Sequence, residues 1–379
     1  LLYLRSWSVL MYNTLERYIL DVVHGRRKGI KAYCTKVVLF ILSLPFQIVV
    51  RCRNRAFDRG WVRCYFPPVP LVISIGNIVA GGTGKTPVTQ LLANEFYASF
   101  SVAVLSRGYR SPAEKLSAPV VLSKGEGPMH PASYCGDEPF LLAKNLPKAF
   151  VFVGKDRHKA SYMAAKAGAQ VILLDDGMQH RRLARDLELI VLDMYDPFGK
   201  GYFLPRGFLR ESLKSLARAD LIILNHLQDE EQFAAMRKQL SKYTAAPVVG
   251  TKMVVSQICD FADRPIEAIG GKKVGIFCGI AHPDYFQETV LEEGAEVVSN
   301  LFVSDHFSVE SHSLIQFAHE SKEKGAELLL CTEKDRVKFT EPQNLSLPVG
   351  WIQTQLKLVA GQNEWNHFVQ KAKDVLSRS

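Results

Sequence analysis

The stretch Leu71-Val-Ile-Ser-Ile-Gly-Asn-Ile-Val-Ala-Gly-Gly-Thr-Gly-Lys-Thr86 decides how this chain is read. Residues 71–75 form an apolar run of strand length, the glycines that follow mark a turn, and a helix-like segment continues from Pro87. Phosphate binding needs this arrangement. Glycines let backbone N–H groups close around a β-phosphate and the helix N-terminus adds positive dipole. Lys85 reaches the β- and γ-oxygens, and the Thr86 hydroxyl ligates Mg²⁺. Val79, Ala80, Gly81, Gly82, Thr83, Gly84, Lys85 and Thr86 are therefore assigned to ATP, with Thr86 also at the metal. One position departs from GxxxxGK[ST]: Val79 stands where the pattern has Gly, and the Gly81-Gly82 pair is expected to supply the flexibility instead. A glycine turn leading into an ordinary helix is the plain alternative.

From residue 70 onward, short apolar runs alternate with helix-like stretches, as in a parallel α/β sheet. Strands are predicted at residues 71–75, 102–105, 151–153, 171–174, 189–192 and 221–224, followed by a helix over 230–243. Residues 248–255 read as an extended linker, and further strands follow near 274–277, 296–298 and 327–330. The expected fold is α/β, a P-loop NTPase-type, mostly parallel sheet with a second, smaller α/β domain and an N-terminal membrane-associated helix. Its expected divisions are 1–65, 66–245 and 246–379. Within the first sheet, Val171-Ile-Leu-Leu-Asp-Asp176 is an apolar strand ending in two carboxylates. That layout places Asp175 or Asp176 beside Mg²⁺ at the carboxyl edge of the sheet, although Asp-Asp-Gly after a strand is also an ordinary turn. Gln179 and His180 follow on the same loop and join the expected site wall, where a lone His could equally be a structural hydrogen-bond donor.

At 379 residues, 47% hydrophobic and 22% charged, the chain is a folded protein of about two domains; this composition excludes a largely disordered chain and a multi-span membrane protein. The net charge of +9 is concentrated near the start: Arg51, Arg53, Arg55, Arg59 and Arg63 face one acid, Asp58, and Arg26, Arg27, Lys28 and Lys31 lie upstream. Between these clusters, residues 37–50 carry only Ser43 and Gln47 as polar side chains. As a helix they span about 21 Å, short of a hydrocarbon core of about 30 Å. The segment is expected to lie in an anionic membrane interface, with Ser43, Gln47, Arg51 and Arg55 as a polar stripe and a kink at Pro45; a buried core helix is the other reading. Seven scattered cysteines without a CxxC spacing indicate a reducing compartment and neither disulfides nor a zinc knuckle. No cleavable signal is read, and because the chain opens on Leu1 its first residues are not expected to be the true start.

Further motifs extend the pattern: Gly-Gly-Thr-Gly-Lys-Thr-Pro87, Ser106-Arg-Gly-Tyr-Arg110, Gly136-Asp-Glu-Pro139, Asp175-Asp-Gly-Met-Gln-His180, Leu204-Pro-Arg-Gly-Phe-Leu-Arg-Glu211, Asp305-His306 and Thr332-Glu-Lys-Asp335. In this order, over about residues 70 to 340, they resemble the tetraacyldisaccharide 4′-kinase (lipid A 4′-kinase) family. The resemblance implies a P-loop kinase at the cytoplasmic face of the bacterial inner membrane. Such an enzyme phosphorylates the 4′-hydroxyl of a tetraacylated glucosamine disaccharide 1-phosphate. It also implies Asp137 as the base accepting the hydroxyl proton, with His306 orienting it from the second domain. From the residues alone, Gly-Asp-Glu-Pro could simply start a helix with Asp as its cap. Arg210 and Glu211 are expected in the site wall or the substrate phosphate pocket, where a helix-flanking ion pair would look the same. Met178, Phe208 and Phe307 depart from the usual Leu or Phe, Pro and second His.

The expected partners are ATP, Mg²⁺, the lipid disaccharide and an anionic membrane surface. No protein partner is implied. A membrane-recruited ATPase switch is the rival that needs no acyl-chain pocket. A nucleic-acid-binding ATPase is disfavoured, because the arginines flank an apolar segment and lack interleaved aromatics.

Overall fold

The computed structural model describes residues 15, 17–266, 268–280, 282–303, 309–338 and 345–378. The apolar runs become buried strands: β1 (Leu71–Gly76), β2 (Val102–Ser106), β3 (Val120–Lys124), β4 (Phe150–Val153), β5 (Val171–Asp175), β6 (Leu187–Asp193) and β7 (Leu221–Asn225). Every residue of β1, β2, β5, β6 and β7 is buried, as expected of parallel strands covered on both faces. The chain continues through β8 (Val248–Asp260), β9 (Lys273–Cys278), β10 (Glu296–Phe302), β11 (Leu328–Thr332) and β12 (Val349–Ala360). All lie in one sheet of order β10-β9-β11-β12-β8-β7-β6-β1-β5-β2-β4-β3. Pairings are parallel except β3 with β4 and β8 with β12.

Residues 248–255, read as a linker, are the first part of a strand of 13 residues. β8 runs parallel to β7 over Val248 to Thr251 and antiparallel to β12 along most of its length, so backbone hydrogen bonds carry the sheet across residue 245. Strands β3 and β12 were not predicted. β12 carries Gln353, Thr354, Gln355 and Lys357 among its apolar residues, and β3 is a short edge strand; neither shows the continuous apolar run that marks the central strands.

The last helix, Gln362–Ser377, returns to the half of the sheet that carries β1. Trp365, Phe368, Val369 and Ala372 join the core formed by Leu71, Ile73, Val88, Leu92 and Phe96, and the Trp365 indole donates to Glu95 Oε1 at 2.9 Å.

The N-terminal helix Ile30–Asp58 has 29 residues, so it is longer than its apolar centre and spans about 43 Å. Its mean hydropathy over an 18-residue window is 1.9, long and apolar enough to cross a membrane by length and composition. That differs from the span judged on residues 37–50 alone. Yet Leu39, Ser43 and Val50 are buried, and Phe46 and Val50 pack with Ile78, Val79 and Phe203, so the helix lies along the protein. The expected polar stripe is correspondingly broken. Ser43 turns inward and donates to the Phe40 carbonyl, while Arg51 and Arg55 stay exposed. The outward face presents Val37, Val38, Phe40, Ile41, Leu42, Leu44, Ile48 and Val49.

Because Trp365 anchors the final helix to the core around β1, Trp365→Ala is expected to cost about 3–5 kcal/mol in denaturant unfolding. A loss below about 1 kcal/mol would show the helix to be peripheral.

Candidate functional site

The P-loop hangs from the carboxyl end of β1. Gly76 is required there, because a Cβ would overlap Met178 of the loop after β5. Val79 is buried, forms an antiparallel bridge to Leu209, and belongs to the apolar cluster of Ile78, Met178 and Leu209. Ala80 N–H donates to the Phe208 carbonyl at 2.7 Å, and Arg210 N–H donates to the Ile78 carbonyl at 2.8 Å. The departure from glycine at 79 thus has a physical reason: the position is strand-like and packed. The left-handed backbone falls instead at Gly81 (φ 121°) and Gly84 (φ 79°). Gly84 caps the helix Lys85–Phe96, and a Cβ on it would overlap the Asn225 amide. Asn77 Nδ2 holds Thr83 Oγ1 at 2.8 Å and Asn225 Nδ2 holds the Thr83 carbonyl at 3.3 Å. The helix has no side-chain cap bond at its start, which leaves first-turn N–H groups for an anion.

Facing this cradle is Asp176, in a left-handed conformation (φ 52°) with its side chain about one-third exposed. Lys85 Nζ lies 3.4 Å from Asp176 Oδ1, and one Arg210 guanidinium nitrogen donates to both Asp176 oxygens at 2.9 Å. Burial alone would raise the Asp176 carboxyl, but Lys85 and Arg210 outweigh it and hold it down at about 2. Its neighbour behaves oppositely. Asp175 is buried and accepts from Ser106 Oγ at 2.9 Å; burial, with Glu138 and Asp176 nearby, pushes it up to about 6.

Gln179 lies beside Asp176: its Nε2 donates to the Asn77 carbonyl at 2.8 Å and its Oε1 accepts from Arg210 at 3.4 Å. Burial, then the charges of Arg157 and Arg185, push His180 down to about 4, so its imidazole is neutral at pH 7. Arg210 pairs with Asp176 and not with Glu211. Glu211 is fully buried and accepts from Asn54 Nδ2 (2.6 Å), Arg218 (2.9 Å) and Arg53 (3.4 Å), which ties the N-terminal helix to this edge of the sheet.

Asp137 opens the helix Asp137–Asn145 behind Gly136, which is itself the cap. Its Oδ2 lies 3.9 Å from Lys338 Nζ, a residue of the second half of the sheet. His306 lies outside the described residues, so its pairing with Asp137 is not part of this geometry.

Sequence reasoning missed Asn77, Asn225, Arg157 and Lys338. Arg157 is buried and donates to the Gly154 and Asp175 carbonyls at 2.9 and 3.0 Å, fixing the end of β5. Polar residues closing apolar strand runs were the available signal, since Asn77 follows β1 directly and Asn225 ends β7.

A glycine-rich loop between a buried strand and a helix, with a lysine at the helix start and a carboxylate pair on the adjacent strand, defines a P-loop nucleotide-dependent phosphotransferase. A family model described as tetraacyldisaccharide-1-P 4′-kinase (LpxK) matches residues 35–373. The tetraacyldisaccharide 4′-kinase of Halothermothrix orenii is 32% identical, over 92% of this chain and 96% of that one. The one from Pelobacter propionicus is 36% identical, over 87% and 90%. A crystal structure of LpxK from Aquifex aeolicus in complex with ATP aligns with a TM-score of 0.69 and 26% identity, covering 89% of this chain and 98% of that one. The chain belongs to the tetraacyldisaccharide-1-P 4′-kinase family.

The two aspartates predict opposite pH effects on stability. Asp175 titrates at about 6 when folded against 3.8 ordinarily, so between about pH 4 and 6 the folded chain keeps a proton that the unfolded chain has lost. Stability falls as pH rises through that window, by up to about 3 kcal/mol. Asp176, held at about 2, contributes stability above about pH 4 that is lost as pH falls toward 2. In urea unfolding, Asp175→Asn should gain on the wild type from pH 4 to 6. A constant difference would show that Asp175 does not carry this proton.

Proposed function

We propose that this chain transfers the γ-phosphate of ATP to the 4′-hydroxyl of a tetraacylated glucosamine disaccharide 1-phosphate, as a lipid A 4′-kinase. The observation that carries the reading is the convergence of Lys85 and Arg210 on Asp176 at the open end of the P-loop. Two cations converging on one carboxylate at the mouth of a P-loop are in place for a polyphosphate. When ATP enters, Lys85 exchanges Asp176 for phosphate oxygens, and Arg210 remains to balance the charge of Asp176.

Mg²⁺ fits the donor set. The Thr86 hydroxyl, Asp175 and Asp176 are hard oxygen ligands, and Mg²⁺ takes one or two carboxylates, completing its shell with phosphate and water. When bound it would supply charge neutralisation across the phosphates. Asp176 is the better ligand of the pair, being ionised and accessible, whereas Asp175 is buried against Ser106. Asp137 accepts the proton of the attacking hydroxyl, and His306 orients it.

In this reading the basic, apolar start of the chain holds the site at the cytoplasmic face of the inner membrane. The support is the exposed apolar face of the helix Ile30–Asp58 beside Arg51, Arg55 and Arg59, a combination suited to an anionic interface.

Two experiments test this. With labelled ATP and purified lipid disaccharide 1-phosphate, label is expected in the lipid; Lys85→Ala should lower transfer by at least about a thousandfold, and Asp176→Asn should raise the Mg²⁺ requirement more than Asp175→Asn does. Wild-type turnover by Lys85→Ala would remove the P-loop assignment. Separately, the triple variant Phe40→Gln, Ile41→Gln, Ile48→Gln should sediment less with anionic vesicles while keeping its rate on detergent-dispersed lipid. Undiminished sedimentation would place the membrane face elsewhere.

A further inference from the structure

A lysine that no motif singled out sits where the two halves of the sheet meet. Lys338 follows the short helix Glu333–Arg336, and its side chain is only 4% exposed. Its ammonium lies 3.2 Å from Asp335 Oδ1, donates to the Gly279 carbonyl at 3.2 Å and lies 3.9 Å from Asp137 Oδ2. A buried ammonium needs a compensating charge, and Asp335 meets that need within the second half alone. Asp335 is itself fixed, since it accepts from Gly279 N–H at 3.0 Å and from Thr332 Oγ1 at 2.6 Å. The contact with Asp137 is therefore additional to what the fold of the second half requires. It crosses from β11 and its following turn to the first turn of the helix Asp137–Asn145.

Other titratable groups of both halves lie near this junction. Lys334 is paired with Glu138 at 3.6 Å. Burial pushes the Cys278 thiol up to about 12, the Cys135 thiol up to about 11 and the Cys331 thiol well above its ordinary value, so all three are neutral at pH 7. Asp137 is the more accessible partner, with its side chain 19% exposed, while the ammonium is packed behind it.

We propose that Lys338 is a positioning residue for the phosphoryl transfer: it holds the Asp137 carboxylate ionised and aimed as the base. The base is then completed only when the second half of the sheet is docked against the first. This rests on Asp137 acting as the base. The physical warrant is that a positive charge about 4 Å from a carboxylate favours its ionised form, the form that accepts the hydroxyl proton.

The test compares Lys338→Met, which keeps length and removes charge, with Lys338→Arg, which keeps charge. Lys338→Met should lower kcat by about ten- to a hundredfold and move the acid limb of kcat to higher pH by about one pH unit, with KM for ATP within about twofold. Lys338→Arg should return the acid limb toward the wild-type position. Because Lys338→Met leaves Asp335 without its cation, the double variant Lys338→Met, Asp335→Asn is measured beside it. It should recover the thermal unfolding temperature without recovering the acid limb. An acid limb that coincides with the wild type in Lys338→Met or in the double variant, whatever the fall in kcat, would overturn the proposal. Asp137→Asn separates the two ideas. Near wild-type kcat there would remove the base and this role together, whereas a strong loss there with an unmoved acid limb in Lys338→Met would remove only the role of Lys338.

Discussion

One carboxylate organises the catalytic edge. Asp176 is taken partly out of water, a costly state for an ion without partners, and it stays ionised because Lys85 and Arg210 both reach it. Lys85 comes from the P-loop helix, Arg210 from the segment whose backbone is zipped to Ile78 and Ala80, and Asp176 from the end of β5. A single cluster of charges therefore ties together three stretches of chain, and it sets the left-handed turn at Asp176 against the phosphate cradle.

The sheet makes such a cluster durable. β1 lies between β6 and β5, so every residue that closes one of these strands projects at the same edge. Asn77 follows β1, Asp175 ends β5 and Asn225 ends β7; Asn77 and Asn225 bond Thr83 of the P-loop, Asp175 accepts from Ser106 at the end of β2, and all three are buried. Buried polar groups require partners, and Thr83 serves both Asn77 and Asn225 while Ser106 serves Asp175. The same continuity reaches the second half through β8. Main-chain bonds to β7 and β12 place the Thr332-to-Lys338 segment opposite the helix Asp137–Asn145, with Asn145 donating to Glu333 at 3.2 Å.

Much of this was legible in the sequence, and what was not has a common cause. Uninterrupted apolar runs such as residues 171–174 and 221–224 announce buried parallel strands, because both faces of such strands are covered. The P-loop and the paired aspartates are legible because a glycine-rich turn and an Asp-Asp step each follow an apolar strand directly. β3 and β12 escaped because edge or half-exposed strands carry polar residues that weaken the pattern. Asn225 and Lys338 escaped for a different reason: they meet Thr83 and Asp137 from 142 and about 200 positions away, through contacts that only the sheet order creates. Val79 shows the converse, an apparent violation of a motif that becomes regular once its bridge to Leu209 is known.

The adjacent residues Arg210 and Glu211 have opposite duties, and that adjacency matters for an enzyme whose substrate is a lipid. Arg210 faces Asp176 in the phosphate site, while Glu211 is fully buried and binds Asn54 and Arg53 of the N-terminal helix. An unexposed carboxylate is tolerable only while those partners stay in place, and Arg218 on its other side adds the remaining charge. The N-terminal helix is thus fastened to the nucleotide site through one peptide unit. A displacement of the helix along its axis would strain the Glu211 cluster together with the packing of Phe46 and Val50 on Ile78 and Val79. The face that we assign to the membrane is in this way held in register with the phosphate-binding residues. With that face against a bilayer, as proposed, the register would fix the height at which a water-soluble nucleotide and a membrane-embedded sugar meet.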